Sequence, residues 1–160
     1  MIKSKAFAFW PVLLGLVMLD CSTKELAVEN LSPAHVPHPV IGDVVRFTLA
    51  YNRNAAMGLS LGEHSRIAFG VIAALMLVAL VVYRRRVTSQ GGPTTVALAM
   101  IGGGAAGNLL DRVRSARGVV DFIDVGVGNA RFYTFNVADA AVFCGTILLL
   151  LMLRRTEQLG

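Results

Sequence analysis

Charged residues are scarce in this sequence: they make up 16% of its 160 residues, whereas hydrophobic residues make up 55%. The mean hydropathy is +0.63. Almost no charge occurs in four long segments, residues 6–19, 67–83, 93–110 and 137–153. As helices, the last three are roughly 26 Å long at about 1.5 Å per residue, close to the thickness of a bilayer core. The first reaches that length if its helix continues through Asp20 to Ala27. These segments predict four transmembrane helices and argue against a soluble domain.

Cysteine and histidine are also rare, which limits metal chemistry. The two cysteines, Cys21 and Cys144, belong to different predicted helices, and the three histidines lie in predicted loops. No Cys-x-x-Cys pair and no Cys/His spacing typical of a zinc site occurs. The sequence therefore predicts no bound metal and no cofactor.

The net charge of +5 does not indicate nucleic-acid binding, because no basic stripe interleaved with aromatic residues lies outside the predicted helices. Basic residues are instead concentrated in short segments beside the ends of predicted spans, which is typical of the cytoplasmic side. These residues are Lys3, Lys5, Arg84, Arg85, Arg86, Arg154 and Arg155. Four spans place both termini on one side, so we predict that both are cytoplasmic. The total Lys and Arg counts of the two sides are nearly equal, so this orientation depends on the short loops.

The first apolar segment follows Lys3 and Lys5, as in a secretory signal peptide. No small-residue cleavage site of the Ala-x-Ala type follows it; Asp20 and Lys24 come instead. We interpret this segment as a retained first helix.

A small sheet is predicted on the outer side of the membrane, within a single domain. Apolar and polar residues alternate over residues 44–51, as in a half-buried strand. Two further strands are predicted at residues 119–125 and 131–135, on either side of a Gly-Val-Gly-Asn turn. The prolines between residues 32 and 39 exclude a regular helix or a central strand there. Together with the spans, the fold class is a membrane all-α protein with a small extracytoplasmic β-sheet.

Two aspartates occupy unusual positions for a membrane protein. Asp121 lies in the apolar run Val119-Val120-Asp121-Phe122-Ile123, and Asp139 opens the last hydrophobic segment. An ionisable residue at the edge of the hydrocarbon is costly, so each is a candidate functional residue. If they meet, they form a pair that shares one proton, which suits acid–base chemistry. Strand alternation places Asp124 on the opposite face from Asp121, and we expect Asp124 to be solvated.

Asp139 also has a structural interpretation. Asn136 is a good helix N-cap, which places Asp139 at the third helical position, where a carboxylate satisfies backbone donors. The two roles are compatible. A helix N-terminus favours a charged Asp139, whereas burial favours a neutral Asp121.

Three other features carry polar groups. Asp20 and Lys24 are four residues apart on the first helix, as in an interfacial ion pair.

Asn108 and Arg112 share a helix face, where they could orient a carboxylate or a substrate carbonyl. The preceding run of glycines and alanines indicates close helix packing. A phosphate-binding loop is excluded there, because neither a preceding strand nor Gly-Lys-Ser/Thr is present.

The sequence closely resembles a known family, the lipoprotein signal peptidases (signal peptidase II). The resemblance is carried by motifs in the family's order that span nearly the whole chain. They are Asp20-x-x-x-Lys24, Tyr51-Asn52-x-x-Ala55-Ala56, Gly103-Gly104-Ala105-Ala106-Gly107-Asn108-Leu109-Leu110-Asp111-Arg112, Val120-Asp121-Phe122 and Phe135-Asn136-Val137-Ala138-Asp139. The sequence differs from the family pattern at Cys21, where Gln is usual, and at Asn54 and Met57, where Gly and Phe are usual. Contacts with substrate or inhibitor are expected to differ there.

The resemblance implies a four-helix aspartyl protease of the bacterial inner membrane with an outer β-cradle. Such enzymes remove the signal peptide of diacylglyceryl-modified prolipoproteins, before the lipidated cysteine. The catalytic pair would be Asp121 and Asp139, at the extracytoplasmic face. The supporting polar residues would be Asp20, Lys24, Asn52, Asn108, Arg112 and Asn136. The implied partners are prolipoproteins, membrane lipid and cyclic-peptide inhibitors such as globomycin, and the protein is expected to be a monomer.

Two alternative functions remain open on the sequence. The three departures from the family pattern suit a paralogue that binds lipopeptide or antibiotic without cleaving it. Buried acids also suit a small transporter or channel subunit that relays protons. A relay requires an acid in the middle of a span, whereas the acids here cluster near one surface.

Overall fold

The computed structural model describes residues 8–54, 59–87 and 92–157. In chain order, this part of the protein forms α1 (Phe9–Asn30), β1 (Pro37–Ile41), β2 (Val45–Asn52), α2 (Ser65–Val87), α3 (Gly92–Arg114), β3 (Val119–Val127), β4 (Ala130–Arg131) and α4 (Val137–Glu157). A short 3-10 turn, Gly62–His64, precedes α2. Several residues used in the sequence predictions lie outside the described ranges: Lys3, Lys5, Ala55, Ala56 and Met57.

Three of the apolar segments predicted from the sequence lie within α2, α3 and α4, and residues 9–19 of the first lie within α1. The first helix continues past Ala27 to Asn30, as its predicted spanning length requires. Within the described residues, two stretches have the length and composition of a membrane span, Gly62–Val82 and Val137–Arg154. The fold is therefore mostly helical with apolar helices, and a count of four spans stays a prediction.

Helix α3 packs against the other three helices, and glycines bring it close to its neighbours. A Cβ atom at Gly104 would collide with the backbone oxygen of Ala138 in α4. At Gly107, it would collide with the Asp20 carboxylate of α1. The glycine-rich segment is thus a helix-packing surface, as predicted, and it brings the polar ends of α1, α3 and α4 together.

The sheet has four antiparallel strands in the order β1-β2-β3-β4. The sequence prediction missed β1, whose prolines Pro37 and Pro39 are accommodated because β1 lies at the edge. The prediction of a strand over residues 131–135 was too long. β4 ends at Arg131, and Phe135 pairs with Ile123 only as an isolated bridge. The physical reason is a shift in pairing: the N–H groups of Phe122 and Ile123 both donate to the Phe135 oxygen.

The two faces of β3 have different surroundings, as strand alternation predicts. Val120 and Phe122 pack into a core with Ala27, Leu31 and Leu49, which joins the sheet to the end of α1. Val119, Asp121 and Val125 line a large cavity on the other side. The sheet therefore has one face on the helical core and one face on the candidate site.

Candidate active site

A cavity of about 1400 Å³ lies between the sheet and helices α2, α3 and α4. Much of its wall is apolar, including Phe69, Ile72, Met76, Val142 and Phe143. Five of the eight site residues predicted from the sequence line it: Asn52, Asn108, Arg112, Asp121 and Asp139. The cavity thus combines an apolar wall with a small group of polar side chains, which is typical of a ligand site.

Asp121 is the third residue of β3 and is 3% exposed. Its carboxylate accepts hydrogen bonds from Asn136 Nδ2 at 2.7 Å and from Asn52 Nδ2 at 3.1 Å. Burial, and secondly the nearby charge of Asp139, raise the pKa of Asp121 to about 7, although these two hydrogen bonds oppose the shift. The protonated form of Asp121 is therefore well populated near neutral pH.

Asp139 lies in the first turn of α4 and forms a reciprocal cap with Asn136. The N–H of Asp139 donates to Asn136 Oδ1 at 2.9 Å, and the N–H of Asn136 donates to Asp139 Oδ2 at 3.3 Å. The predicted capping role is confirmed. The other carboxylate oxygen, Oδ1, accepts from Asn108 Nδ2 at 2.8 Å, and Asp139 lines the cavity. Capping and exposure to the cavity thus occur together.

The two asparagines link the aspartates to each other. Asn136 is fully buried, and its Nδ2 lies 2.7 Å from Asp121 Oδ1 and 3.1 Å from Asn108 Oδ1. The side chains therefore form one network in the order Asp121, Asn136, Asn108, Asp139. This network brings together two carboxylates that are 18 residues apart in the sequence (139 minus 121).

Arg112 lines the cavity but binds backbone oxygens. Its Nη1 donates to the Asn108 oxygen at 3.1 Å, and its Nη2 donates to the Asn54 oxygen at 2.9 Å. Arg66 in turn donates to the Arg112 backbone oxygen. The Arg112 Nε is buried and has no hydrogen-bond partner among the described residues. Arg112 thus holds the chain after β2 beside the site, and within the described residues it forms no ion pair with either aspartate.

Asp20 and Lys24 do not line the cavity; they lie behind it, at 0% and 3% exposure. Their predicted ion pair forms, at 2.7 Å, but it is buried within the protein. Lys24 Nζ also lies 2.9 Å from Asp111 Oδ2 and donates to Asn108 Oδ1 at 2.9 Å. The sequence analysis missed Asp111 as a member of this group. Its i, i+3 relation to Asn108 in the helical motif was the available signal.

The expectation that Asp124 is solvated was wrong. Asp124 does lie away from the cavity, but it is 6% exposed. Arg131 Nε contacts its Oδ1 at 2.6 Å, and Thr48 donates to its Oδ2 at 3.1 Å. Arg131 folds back over β3 across the hairpin, and this cross-strand contact buries the carboxylate.

Within the described ranges, no cluster of three or more His, Cys, Asp or Glu side chains is arranged to hold a metal ion. Cys21 and Cys144 are free thiols. Cys144 lines the cavity, whereas Cys21, a departure from the family pattern, does not.

Two carboxylates on one wall, one of them with a raised pKa, can supply an acid and a base to a bound substrate and water.

Comparison with known proteins agrees with this chemistry. Residues 12–155 match the family described as signal peptidase (SPase) II. A lipoprotein signal peptidase of Streptomyces coelicolor is 38% identical over 155 residues, covering 94% of this chain and 72% of that protein. One from Coxiella burnetii (strain Dugway 5J108-111) is 35% identical, covering 99% of this chain and 98% of that protein.

Two solved membrane enzymes share this fold. A bacterial membrane enzyme determined by the in meso method at 2.3 Å resolution has a TM-score of 0.80 and 28% identity, covering 91% of this chain and 87% of its own. A second, at 1.9 Å resolution, has a TM-score of 0.72 and 29% identity, with 89% of each chain covered. The chain belongs to the signal peptidase II family, the aspartic-type peptidases that cleave the signal peptides of prolipoproteins.

Proposed function

We propose that Asp121 and Asp139 are the catalytic pair with which this protein cleaves diacylglyceryl-modified prolipoproteins before the lipidated cysteine. The observation that carries the proposal is their shared cavity wall, where Asn136 and Asn108 hold both carboxylates in one hydrogen-bond network. The raised pKa of Asp121 supports its role as the acid near neutral pH. Asp139, in the first turn of α4, is well placed to carry negative charge and act as the base.

The reaction follows from these assignments. Asp139 removes a proton from a water molecule, whose oxygen bonds to the carbonyl carbon of the scissile peptide. Asp121 donates its proton to the carbonyl oxygen, which gives a neutral gem-diol. The carbon–nitrogen bond then breaks as Asp139 passes its proton to the leaving amine and Asp121 recovers a proton from the gem-diol. The products are a new carboxyl terminus and a new amino terminus, with no covalent intermediate.

The supporting residues position this pair. Asn52, Asn108 and Asn136 donate hydrogen bonds to the carboxylates. Arg112 donates a hydrogen bond to the backbone oxygen of Asn54, and Asn54 also lines the cavity. Asp20 and Lys24 support the site from behind, without contact with the cavity.

The apolar part of the cavity suits a lipid-modified substrate. Phe69, Ile72 and Met76 of α2 face Val142 and Phe143 of α4 across it. Apolar walls of this kind stabilise hydrocarbon chains by removing them from water or from less well-packed surroundings. The diacylglyceryl group of the substrate would lie between these helices, with the scissile peptide at the carboxylates.

We further propose four spans, with both termini cytoplasmic and the site at the extracytoplasmic face of the inner membrane. Large apolar side chains are exposed along α2 and α4, which suits contact with lipid: Leu75, Val78, Val82, Phe143, Ile147 and Leu151. The polar site residues lie at one end of the helices, in the last turns of α3 and in and just before the first turn of α4. This clustering disfavours a relay of protons across the membrane. Binding without cleavage is disfavoured because both carboxylates are present on the cavity wall.

The direct test is cleavage of a diacylglyceryl-modified prolipoprotein by the purified protein in lipid or detergent. The matched control is the same precursor without the diacylglyceryl group. We expect cleavage of the first, release of its signal peptide, and inhibition by a cyclic peptide such as globomycin. Binding of the lipidated precursor with no cleavage would contradict the proposal and favour the binding paralogue. The same preparation gives the oligomeric state, which we expect to be monomeric.

A further inference from the structure

Lys24 is the most connected buried charge behind the candidate site. Its Nζ lies 2.7 Å from Asp20 Oδ2, 2.9 Å from Asp111 Oδ2 and 2.9 Å from Asn108 Oδ1. Three oxygens therefore lie within 2.9 Å of an ammonium group that can donate three hydrogens. Lys24 is 3% exposed and does not line the cavity, so it does not contact substrate there.

The two carboxylates bound to Lys24 each hold the backbone next to a catalytic aspartate. Asp20 Oδ1 accepts the N–H of Ala138, the residue before Asp139, at 2.9 Å. Asp111 Oδ2 accepts the N–H of Val120, the residue before Asp121, at 3.1 Å. One ammonium group thus ties together the two carboxylates that anchor the backbones of β3 and α4.

Lys24 also orients the Asn108 amide, together with Asn136 Nδ2, which donates to the same oxygen at 3.1 Å. An ammonium group can only donate, so its contact requires the oxygen of Asn108 to face Lys24. The NH₂ group of Asn108 then faces Asp139, to which it donates at 2.8 Å. With the amide reversed, Asn108 would present its oxygen to the Asp139 carboxylate, and the NH₂ group would meet Lys24.

We propose that Lys24 is a positioning residue for the cleavage reaction: it fixes the Asn108 amide toward Asp139 and sets the separation of the two catalytic aspartates through Asp20 and Asp111. This inference rests on the proposed function, and it assigns to Lys24 a role in the rate of the chemical step. Because Lys24 lies outside the cavity, its removal should lower kcat and leave KM nearly unchanged.

Removal of the positive charge of Lys24 should also change the pKa of Asp121 in a known direction. Asp139 of α4 and Lys24 of α1 act on the charge of Asp121, which in turn acts on Arg112 of α3. Two further charged residues, Arg53 and Arg117, line the same cavity, and Asp20 and Asp111 pair with Lys24. The positive charge of Lys24 lowers the pKa of Asp121, in opposition to burial and to Asp139. Without Lys24, Asp121 should lose its proton at a higher pH, so the pH at which activity is half lost should move upward.

The test uses Lys24→Met and the double variant Asp20→Asn with Lys24→Met. The double variant removes one positive and one negative charge, and its Asn side chain still offers an oxygen to Ala138 N–H. For folded protein, we expect kcat to fall about 10- to 100-fold in both variants, as misplacement of reacting groups does. The KM should stay within about twofold of the parent value. The pH midpoint should rise in Lys24→Met and change less in the double variant, whose net charge is preserved.

Arg131→Met is the matched control, because Arg131 also forms an ion pair with a buried carboxylate, that of Asp124 at 2.6 Å, but lies outside the Asn108 network. It should lower thermal stability without moving the pH midpoint. The proposal is overturned if the folded double variant keeps the parent kcat. It is also overturned if Lys24→Met loses activity only in proportion to folded protein, with an unmoved pH midpoint. If the parent protein itself leaves the precursor uncut, the proposed function fails instead.

Discussion

The side chain of Asn136 donates a hydrogen bond of 2.7 Å from Nδ2 to Oδ1 of Asp121. The same side chain caps α4, because its Oδ1 accepts the N–H of Asp139 at 2.9 Å. One buried residue therefore fixes both the start of a helix and the position of a carboxylate on a strand. Helix capping and site geometry are coupled in this protein.

Asn136→Ser and Asn136→Ala should separate these two roles. Serine retains an oxygen that can cap the helix, whereas alanine does not, and loss of a cap costs about 0.5–2 kcal/mol. Neither residue can donate an amide hydrogen to Asp121. We expect Asn136→Ser to be more stable than Asn136→Ala in thermal unfolding, while both lose most of their cleavage rate. Full activity in Asn136→Ser would show that the contact with Asp121 is dispensable.

Asp121→Asn and Asp139→Asn should each abolish prolipoprotein cleavage and still bind the lipidated precursor. Asparagine retains the shape of the side chain but cannot take or give the proton. The weaker helix N-terminus in Asp139→Asn costs only about 0.3–1 kcal/mol, which is too little to explain inactivation by unfolding. Cleavage assays and precursor binding measured on the same preparations test both variants.

Asp124→Asn is the control for this pair. Asp124 lies off the cavity in an ion pair with Arg131, so its loss should lower the unfolding temperature more than the activity of folded protein. Substantial cleavage by Asp139→Asn would leave capping as the role of that residue. Equal inactivation of folded Asp124→Asn and Asp121→Asn would contradict the strand register.

The pH dependence of cleavage should report the protonation of Asp121. Burial and the charge of Asp139 raise its pKa to about 7, and the proposed mechanism uses its protonated form. We therefore expect kcat/KM to fall as the pH rises through about 7. A profile that stays flat from about pH 6 to pH 8 would argue against Asp121 as the acid.

The stability of the folded protein should also depend on pH through the ionisation of Asp121. The pKa of Asp121 is raised from 3.8 to about 7 in the folded protein, so the folded state binds more protons than the unfolded chain between these values. The contribution of Asp121 to stability is therefore greatest at low pH and is lost as the pH rises toward 7. Asp121→Asn cannot ionise, and its unfolding temperature should fall less than that of the parent over this range.

Gly107→Ala should disturb the packing of α3 against α1. The added Cβ would collide with the Asp20 carboxylate, and a small-to-large change in a packed interior costs about 1–3 kcal/mol. Gly15→Ala is a matched control, because Gly15 is also helical and a Cβ there meets nothing within 4 Å. Thermal unfolding of both variants tests the expectation. Equal stabilities would show that Asp20 and α3 are not in close contact.

The proposed orientation can be checked with two single cysteines in a protein whose Cys21 and Cys144 are replaced by serine. A membrane-impermeant thiol reagent applied from outside should label a cysteine at position 38, in β1, and leave one at position 90 unlabelled. His38 belongs to the sheet that borders the cavity, so this side also carries the site. The reverse labelling pattern would place the site and both termini on the opposite sides.

The sequence by itself determined the elements whose causes are local. Long apolar runs set the four helices, and alternation over residues 119–125 turned Asp121 and Asp124 to opposite faces. The spacing of Asn136 and Asp139 determined their reciprocal cap, since both partners lie in one helical turn. Family motifs then identified the chemistry, because they fix residue types in a known order.

The tertiary structure decided what depends on contacts between distant segments. Asp124 is buried because Arg131 covers it across a hairpin, and β1 is a strand because β2 offers it a partner. Lys24 lies 84 residues from Asn108 in the sequence, yet its ammonium group faces that amide. No local pattern encodes such a contact, because it exists only once glycines let α1, α3 and α4 approach closely. The orientation of the amides, and with it the environment of the two aspartates, follows from that packing.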